Sequence, residues 1–309
     1  MVSGLFLYVQ SVGWKKRDLQ QMEQIEYIRL DQKILESLPV RKQRSNKGTY
    51  GKVLCIAGSK NMAGAAYLCA YAAYRTGAGL VRVLTPEENR VIIQTLLPEA
   101  VLTTFDSKDP DMDVLREALV WADVTAIGPG LGKEAWAEVF VELVLKEYKK
   151  PLVIDADGIN HLCKNQDLLK ECKGPVIVTP HVGEFSRLSG KAIPDILEHI
   201  PEYALAYAEE YHCICVLKDA PSAVGFFDGR CWVNTTGNNG MSTGGSGDVL
   251  TGMIAGLLAQ KTEPLHAALL GVWLHGKSGD LAAEKEGTYG LLARHLIEYL
   301  PGAMSFHGK

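Results

Sequence analysis

Short β-branched runs alternate with amphipathic stretches along most of this chain, and no other feature limits its fold so strongly. Such alternation builds a parallel sheet covered by helices, because each return to the sheet needs a crossover element. The candidate strands are Val53–Ala57, Leu80–Leu84, Val124–Ile127, Leu152–Ile154, Val176–Thr179 and Ile214–Leu217. Their near-continuous apolar character fits strands buried on both faces. Helical stretches fall between them at Ala63–Arg75, Glu134–Lys146 and Glu202–Tyr211. Ala223–Phe227 and Arg230–Val233 flank Asp228-Gly229, which reads as a tight hairpin and gives the sheet an antiparallel edge. Asp248–Ala259, Leu265–Glu284 and Leu291–Leu300 then read as three closing helices. The expected fold class is therefore α/β, with a mostly parallel central sheet, helices on both faces and one antiparallel edge hairpin.

No linker, low-complexity segment or internal repeat divides the chain, so one domain over residues 31–309 is expected. Residues 1–30 read as a polar N-terminal extension without clear period, and Met22 offers an alternative start. The apolar Gly4–Val9 lacks a basic leader and a cleavage site, so it reads as neither signal peptide nor anchor. A 47% hydrophobic share with 22% charged residues is that of a chain with a sizeable core. The net charge of -4 argues against a nucleic-acid partner, and no apolar run is long enough for a membrane span. The 7 cysteines are scattered, which suggests reduced thiols and a cytoplasmic location. Cys55, Cys69 and Cys215 lie in apolar runs, where packing is the expected role. No zinc-type Cys/His spacing occurs, and no metal ligand is assigned from spacing.

The chemistry concentrates in Asn238–Gly252, NNGMSTGGSGDVLTG. Its glycines bring backbone N–H groups close to a ligand, and the apolar run after them makes a helix whose N-terminus suits phosphate. The run is not a Walker A loop, for no Lys-Ser or Lys-Thr follows the last glycine, nor does it fit GxGxxG. Asp248 is the informative residue. A carboxylate among phosphate-binding amides makes sense if it faces a substrate hydroxyl across the transferring phosphoryl group and accepts its proton. The competing reading makes Asp248 an N-cap and the glycines a flexible turn.

Two further turns follow buried strands. In VTPHVGEF (Val178–Phe185), His181 and Glu184 stand just beyond a strand's C-terminal end, where open parallel sheets collect ligands. Alone, His181 reads equally as a loop residue or a ligand contact, and Glu184 as a capping-box or surface carboxylate. In LKDAPS (Leu217–Ser222), Lys218 can meet phosphate as a point charge or be a solvated lysine. Glycine turns at Gly58–Gly64 and Gly128–Gly132 also follow strands, and the recurrence of such turns is hard to assign to chance.

Taken in order, these segments resemble the ribokinase-like superfamily and, within it, the NAD(P)H-hydrate dehydratases. The match runs from about Ser45 to Pro301 through SNKGTYGKVLCIAGS, MAGAAYLCAYAAYRTGAGLVRVLTP, GPGLG, DADGIN, TPHVGE, LKDAPS and GMSTGGSGDVLTG. The resemblance implies that Ala65, Gly130, His181 and Asp248 touch a hydrated dinucleotide, with Asp248 catalytic. It implies that Lys218, Asp219, Ala220, Pro221, Ser222 and Gly247 bind a nucleotide. Glu184 corresponds to a glutamate that organises Mg2+ and phosphate through water.

The implied activity is an ADP- or ATP-dependent (S)-NAD(P)H-hydrate dehydratase, with ADP favoured. Hydrated NADH or NADPH carries a hydroxyl at nicotinamide C6; phosphorylating it makes a leaving group that the ring nitrogen's lone pair expels. The family also implies a homo-oligomer, and this chain shows no epimerase segment, so a separate epimerase would act on the other epimer. The alternatives are a kinase of a small hydroxylated metabolite, such as a vitamin precursor, and a non-catalytic nucleotide-binding protein. Three departures from the family pattern stand out: Asn239 in place of proline, Asp219 in place of glycine, and Ala293-Arg294-His295 near the end.

Overall fold

The computed structural model describes residues 26–305. Among these, ten strands form one sheet in the order β1-β10-β9-β8-β7-β6-β5-β2-β3-β4. In chain order they are β1 (Tyr27–Arg29), β2 (Lys52–Ile56), β3 (Leu80–Pro86), β4 (Val101–Phe105), β5 (Val124–Ile127), β6 (Leu152–Ile154), β7 (Val176–Val178), β8 (Ile214–Leu217), β9 (Ser222–Phe226) and β10 (Cys231–Asn234). All neighbouring pairs run parallel except those of β9, which is antiparallel to both β8 and β10.

The first six helices are α1 (Ala63–Thr76), α2 (Arg90–Leu96), α3 (Met112–Trp121), α4 (Ala135–Glu147), α5 (Ala156–Leu162) and α6 (Leu168–Glu171). The rest are α7 (Val182–Ser189), α8 (Ile193–Glu198), α9 (Ile200–Tyr211), α10 (Ser246–Ala259), α11 (Pro264–Glu286) and α12 (Ala293–Met304). They cover both faces. Val53 and Cys55 of β2 point into a core with α1, α10, α11 and α12. Leu54 and Ile56 of the same strand point into a second core with α3, α4 and α9. Successive side chains serve opposite cores, which is why the buried strands read as unbroken apolar runs.

The sheet's edge holds the expected antiparallel hairpin and one further strand. The hairpin β9–β10 is present, but it is not outermost: β1 lies beyond it, pairing Tyr27 with Cys231 and Arg29 with Val233. That strand falls within the stretch expected to be an extension, whose residues 1–25 lie outside the described part of the chain. Tyr27, Ile28 and Arg29 are all exposed, so no buried face marks them as a strand in the sequence.

Helix α10 is buried from Val249 to Ala259, at the centre of the first core. Gly252 and Gly256 face α1, and a Cβ at Gly252 would stand 2.1 Å from the Cys69 carbonyl oxygen. The close crossing carries the N-terminus of α10 to the sheet's C-terminal edge, where the turns after β6, β7 and β8 converge.

Candidate active site

Asp155 directly follows β6 and Lys218 directly follows β8, with β7 between the two strands in the sheet. Asp155 Oδ1 accepts from Lys218 Nζ at 2.7 Å, and its Oδ2 accepts from Thr251 Oγ1 of α10 at 2.7 Å. Asp155 is 1% exposed in its side chain, against 19% for Lys218. Burial alone would raise the Asp155 carboxyl; the Lys218 charge and the two hydrogen bonds outweigh it and hold it below the usual range. Burial likewise disfavours the Lys218 ammonium, but Asp155 and Glu184 raise it above the ordinary lysine value. The pair is ionised and fixes the point where the sheet, the turn after β8 and α10 meet.

The turn after β7 is built by reciprocal capping of α7. His181 is the N-cap, and its Nδ1 accepts from the Gly183 and Glu184 N–H groups at 2.9 and 3.3 Å. Glu184 Oε2 accepts from the His181 N–H at 2.9 Å. A ring nitrogen that accepts carries no proton, so Nε2 is the protonated one; it lies 3.4 Å from Glu184 Oε1. Glu184 is thus a capping-box residue, yet it is no surface carboxylate. It is 5% exposed, and burial pushes its carboxyl up to about 7. Burial, with Lys218 and Arg187 close by, lowers the His181 imidazole, so the ring is neutral at neutral pH.

The glycine loop enters from the other side. Gly245 precedes α10 at φ 90°, a conformation that favours glycine, and makes no side-chain cap. Asp248 lies in the first helical turn, two residues beyond the helix's first, so it is not the N-cap. Burial and then the Asp155 charge push its carboxyl up to about 7. A Cβ on Gly247 would sit 3.1 Å from Lys218 Nζ, which places this backbone directly against the ammonium.

One cleft of about 630 Å³ joins these groups. His181, Glu184, Lys218, Asp219, Ala220, Pro221, Ser222, Gly247 and Asp248 all line it, as does Asp155. Ala65 and Gly130 do not. They meet each other instead, since a Cβ on Gly130 would lie 2.8 Å from that of Ala65. The Gly130 turn is held from α5: Gly132 N–H donates to Asp157 Oδ2 at 2.9 Å, and His161 Nε2 meets the Gly132 carbonyl at 2.8 Å. Among the described residues no group of three His, Cys, Asp or Glu side chains forms a metal cage. Mg2+ needs fewer protein ligands, because it keeps waters and takes phosphate oxygens. Glu184 and Asp248 in one cleft fit that requirement.

Sequence reasoning missed Asp155 as a site residue, although DADGIN places it at a strand's C-terminal end. It also missed Thr251 and His275, which look like ordinary helix residues. Two departures from the family pattern acquire a structural account. Asn239 opens a 3₁₀ turn, Asn239–Met241, capped by Asn238, a first position that proline also tolerates. His295 Nδ1 accepts from the Leu292 N–H at 3.2 Å and closes the start of α12.

Comparison with known proteins agrees with this fold. A family profile described as NAD(P)H-hydrate dehydratase matches residues 53–302. A Bacillus subtilis protein named ADP-dependent (S)-NAD(P)H-hydrate dehydratase is 37% identical over 271 residues, 88% of this chain and 95% of its own. A Bacillus subtilis crystal structure of an ADP/ATP-dependent NAD(P)H-hydrate dehydratase, co-crystallised with ATP and Mg2+, superposes with a TM-score of 0.77 at 35% identity, covering 87% of this chain and 94% of that one. A ribokinase-like superfamily protein from Enterococcus faecalis superposes with a TM-score of 0.79 at 31% identity, covering 90% and 95%. The bifunctional NAD(P)H-hydrate repair enzyme of Moorella thermoacetica is 40% identical over 272 residues. The match takes in 85% of this chain but 51% of that enzyme, so the chain spans about half the length of such bifunctional relatives. Fold, ordered turns and profile converge: the chain belongs to the NAD(P)H-hydrate dehydratase family.

Proposed function

We propose that this chain is an ADP- or ATP-dependent (S)-NAD(P)H-hydrate dehydratase that restores NADH and NADPH from their hydrates. The observation that carries the reading is Asp248, a carboxylate in the first turn of α10, sharing one cleft with Lys218 and the turn to Ser222. Lys218 and the Gly247 backbone hold the nucleotide's phosphates. Asp248 accepts the proton of the C6 hydroxyl as its oxygen attacks the terminal phosphorus of ADP or ATP, releasing AMP or ADP. The ring nitrogen's lone pair then expels the phosphate, and the resulting iminium loses a proton from C5 to give the dihydronicotinamide. Mg2+ held with Glu184 through water supplies charge neutralisation on the phosphates when bound.

Ala65, Gly130 and His181 are assigned to the dinucleotide, and Asp219, Ala220, Pro221 and Ser222 to the nucleotide. ADP is the favoured co-substrate, as in the name of the Bacillus subtilis relative. The catalytic unit is assigned as a single domain over residues 31–309, with 1–30 an extension that lends Tyr27–Arg29 to the sheet's edge as β1. We assign it to the cytoplasm, which the free thiols of the described cysteines fit, as a homo-oligomer in a pathway that also holds an epimerase.

The test is recovery of 340 nm absorbance from hydrated NADH with Mg2+ and nucleotide. Recovery accompanied by free phosphate is the expected result. No recovery with either ADP or ATP overturns the proposal, and a stable phosphorylated product makes the chain a kinase instead.

A further inference from the structure

Helix α11 runs past both lips of the cleft. His275 Nε2 lies 2.9 Å from the Ser246 carbonyl oxygen and 3.3 Å from Ser246 Oγ. Further along the same helix, Asp280 Oδ2 accepts from the Gly237 N–H and Oδ1 from the Asn238 side-chain amide, both at 3.2 Å. Between them the helix is pressed against the loop. A Cβ on Gly276 would be 2.2 Å from Thr236 Oγ1, and one on Gly279 2.2 Å from Met241 Sδ.

The tether at Ser246 matters because of what surrounds it. Gly244, Gly245 and Gly247 have no side chains, so within this run only Ser246 offers one, and His275 reaches both its Oγ and its carbonyl oxygen. Glycine segments lose more conformational freedom on ordering than others, and the loop must be ordered before it can present amides to a phosphate. A carbonyl oxygen only accepts, so His275 Nε2 carries the proton and donates. Burial first, with Lys218 adding to it, lowers the imidazole to about 4. The donor is therefore neutral at working pH, and it holds the loop without a second positive charge beside the Lys218 ammonium.

We propose that His275 is a positioning residue for the reaction, its Nε2–H gripping Ser246 so that the Gly247 amide and the Asp248 carboxylate stay aimed into the cleft, while Asp280 holds the opposite lip for the nucleotide. The proposal rests on the dehydratase reading above and divides its effects between two kinetic constants. His275→Leu keeps bulk without a donor, and His275→Gln restores an N–H. Loss of the donor lowers kcat by roughly 10- to 100-fold with hydrate KM within about threefold, raises nucleotide KM by less than kcat falls because the Gly247 amide shares the loop, and Gln recovers most of both. Asp280→Asn shows the reverse split, raising nucleotide KM by roughly three- to tenfold with kcat within about twofold.

A reading independent of turnover is the 15N spectrum of the His275 ring, where a protected Nε2–H proton persisting down to about pH 5 is expected. The proposal is overturned if His275→Leu keeps kcat within about twofold of wild type, or if Gln is as slow as Leu at equal thermal stability. It is also overturned if the ring carries its proton on Nδ1. Inactivity of the wild type would sink the dehydratase reading instead, and the ring spectrum would still decide the His275 bond.

Discussion

Lys218 Nζ and Asp155 Oδ1 stand 2.7 Å apart across the width of one intervening strand, and Thr251 closes the carboxylate's other side. The pair joins three segments that share no local sequence: the ends of β6 and β8 and the first turns of α10. It both steadies the fold and keeps a lysine charged at the proposed phosphate position.

Breaking the pair from one side leaves a buried charge behind, which is the costly case. Asp155→Leu or Lys218→Met alone should lose ~3 kcal/mol, roughly 6–10 °C in Tm. The double variant should recover most of that stability, because two apolar side chains need no compensation. It should recover no nucleotide binding, since the cation is gone. Thermal unfolding and nucleotide titration of the three variants check this; a double variant as unstable as the sum of the singles would contradict it.

Asp248 carries opposite pH signs for activity and stability. With its carboxyl pushed up to about 7, the base becomes available as pH rises, so kcat/KM should climb through about pH 7 and then level. Glu184 is also pushed up to about 7, so the limb belongs to the pair, and Glu184→Gln should sharpen it. A raised folded pKa stabilises fully below the unfolded value, and that stability is lost as pH rises through the folded one. Asp248→Asn removes the loss. Its Tm advantage over wild type should grow between about pH 4 and 8, worth ~1 kcal/mol after discounting the group's partial exposure. Its turnover should fall by roughly 10³-fold with nucleotide Kd within about threefold, measured by the 340 nm assay and titration.

Asp219 brings an exposed carboxylate to the side of the cleft that we assign to the nucleotide. Its N–H donates to Ser222 Oγ at 3.3 Å, and Ser222 Oγ donates to its carbonyl at 2.8 Å, so the turn does not depend on the carboxylate. Asp219→Gly should tighten nucleotide binding by roughly two- to fivefold, more for ATP than ADP because of the added charge. The gain should shrink as salt is raised to about 0.5 M. Calorimetry at two ionic strengths gives the answer, and an effect indifferent to salt would rule out charge as its cause.

What could be read in advance follows from where the constraints lie. β5, β6 and β8 were legible to the residue, because burial on both faces makes them apolar throughout. β4 was not: Val101–Phe105 ends the sheet, mostly half-exposed, with two threonines in five residues. Asp248 and Lys218 were visible because glycine or turn chemistry surrounds them. Their partners were not, since Thr251 reaches Asp155 across 96 residues of chain and His275 sits in a helix with no mark of its target. Glu184 showed its capping role in sequence, while its burial arises only from the turns packed over it.

The crossing of α1 and α10 links stability to the site and can be separated from it with two glycines. A Cβ at Gly252 would meet the Cys69 carbonyl oxygen at 2.1 Å and the Ala72 Cβ at 2.8 Å, backbone and a short side chain that cannot rotate away. Gly252→Ala must push the helices apart, costing ~2–3 kcal/mol and roughly 4–8 °C in Tm. Gly64 lies in the first turn of α1 with nothing within 4 Å of an added Cβ. Gly64→Ala should therefore raise stability by ~0.5–1 kcal/mol through lower unfolded-state entropy. Its neighbour Ala65 is assigned to the dinucleotide, so the same change should raise the KM for the hydrate while nucleotide Kd holds. Gly252→Ala should instead lower kcat together with Tm, because Asp248 lies one turn before it on α10. If Gly64→Ala raised Tm and left hydrate KM unchanged, the dinucleotide would have to bind away from the start of α1.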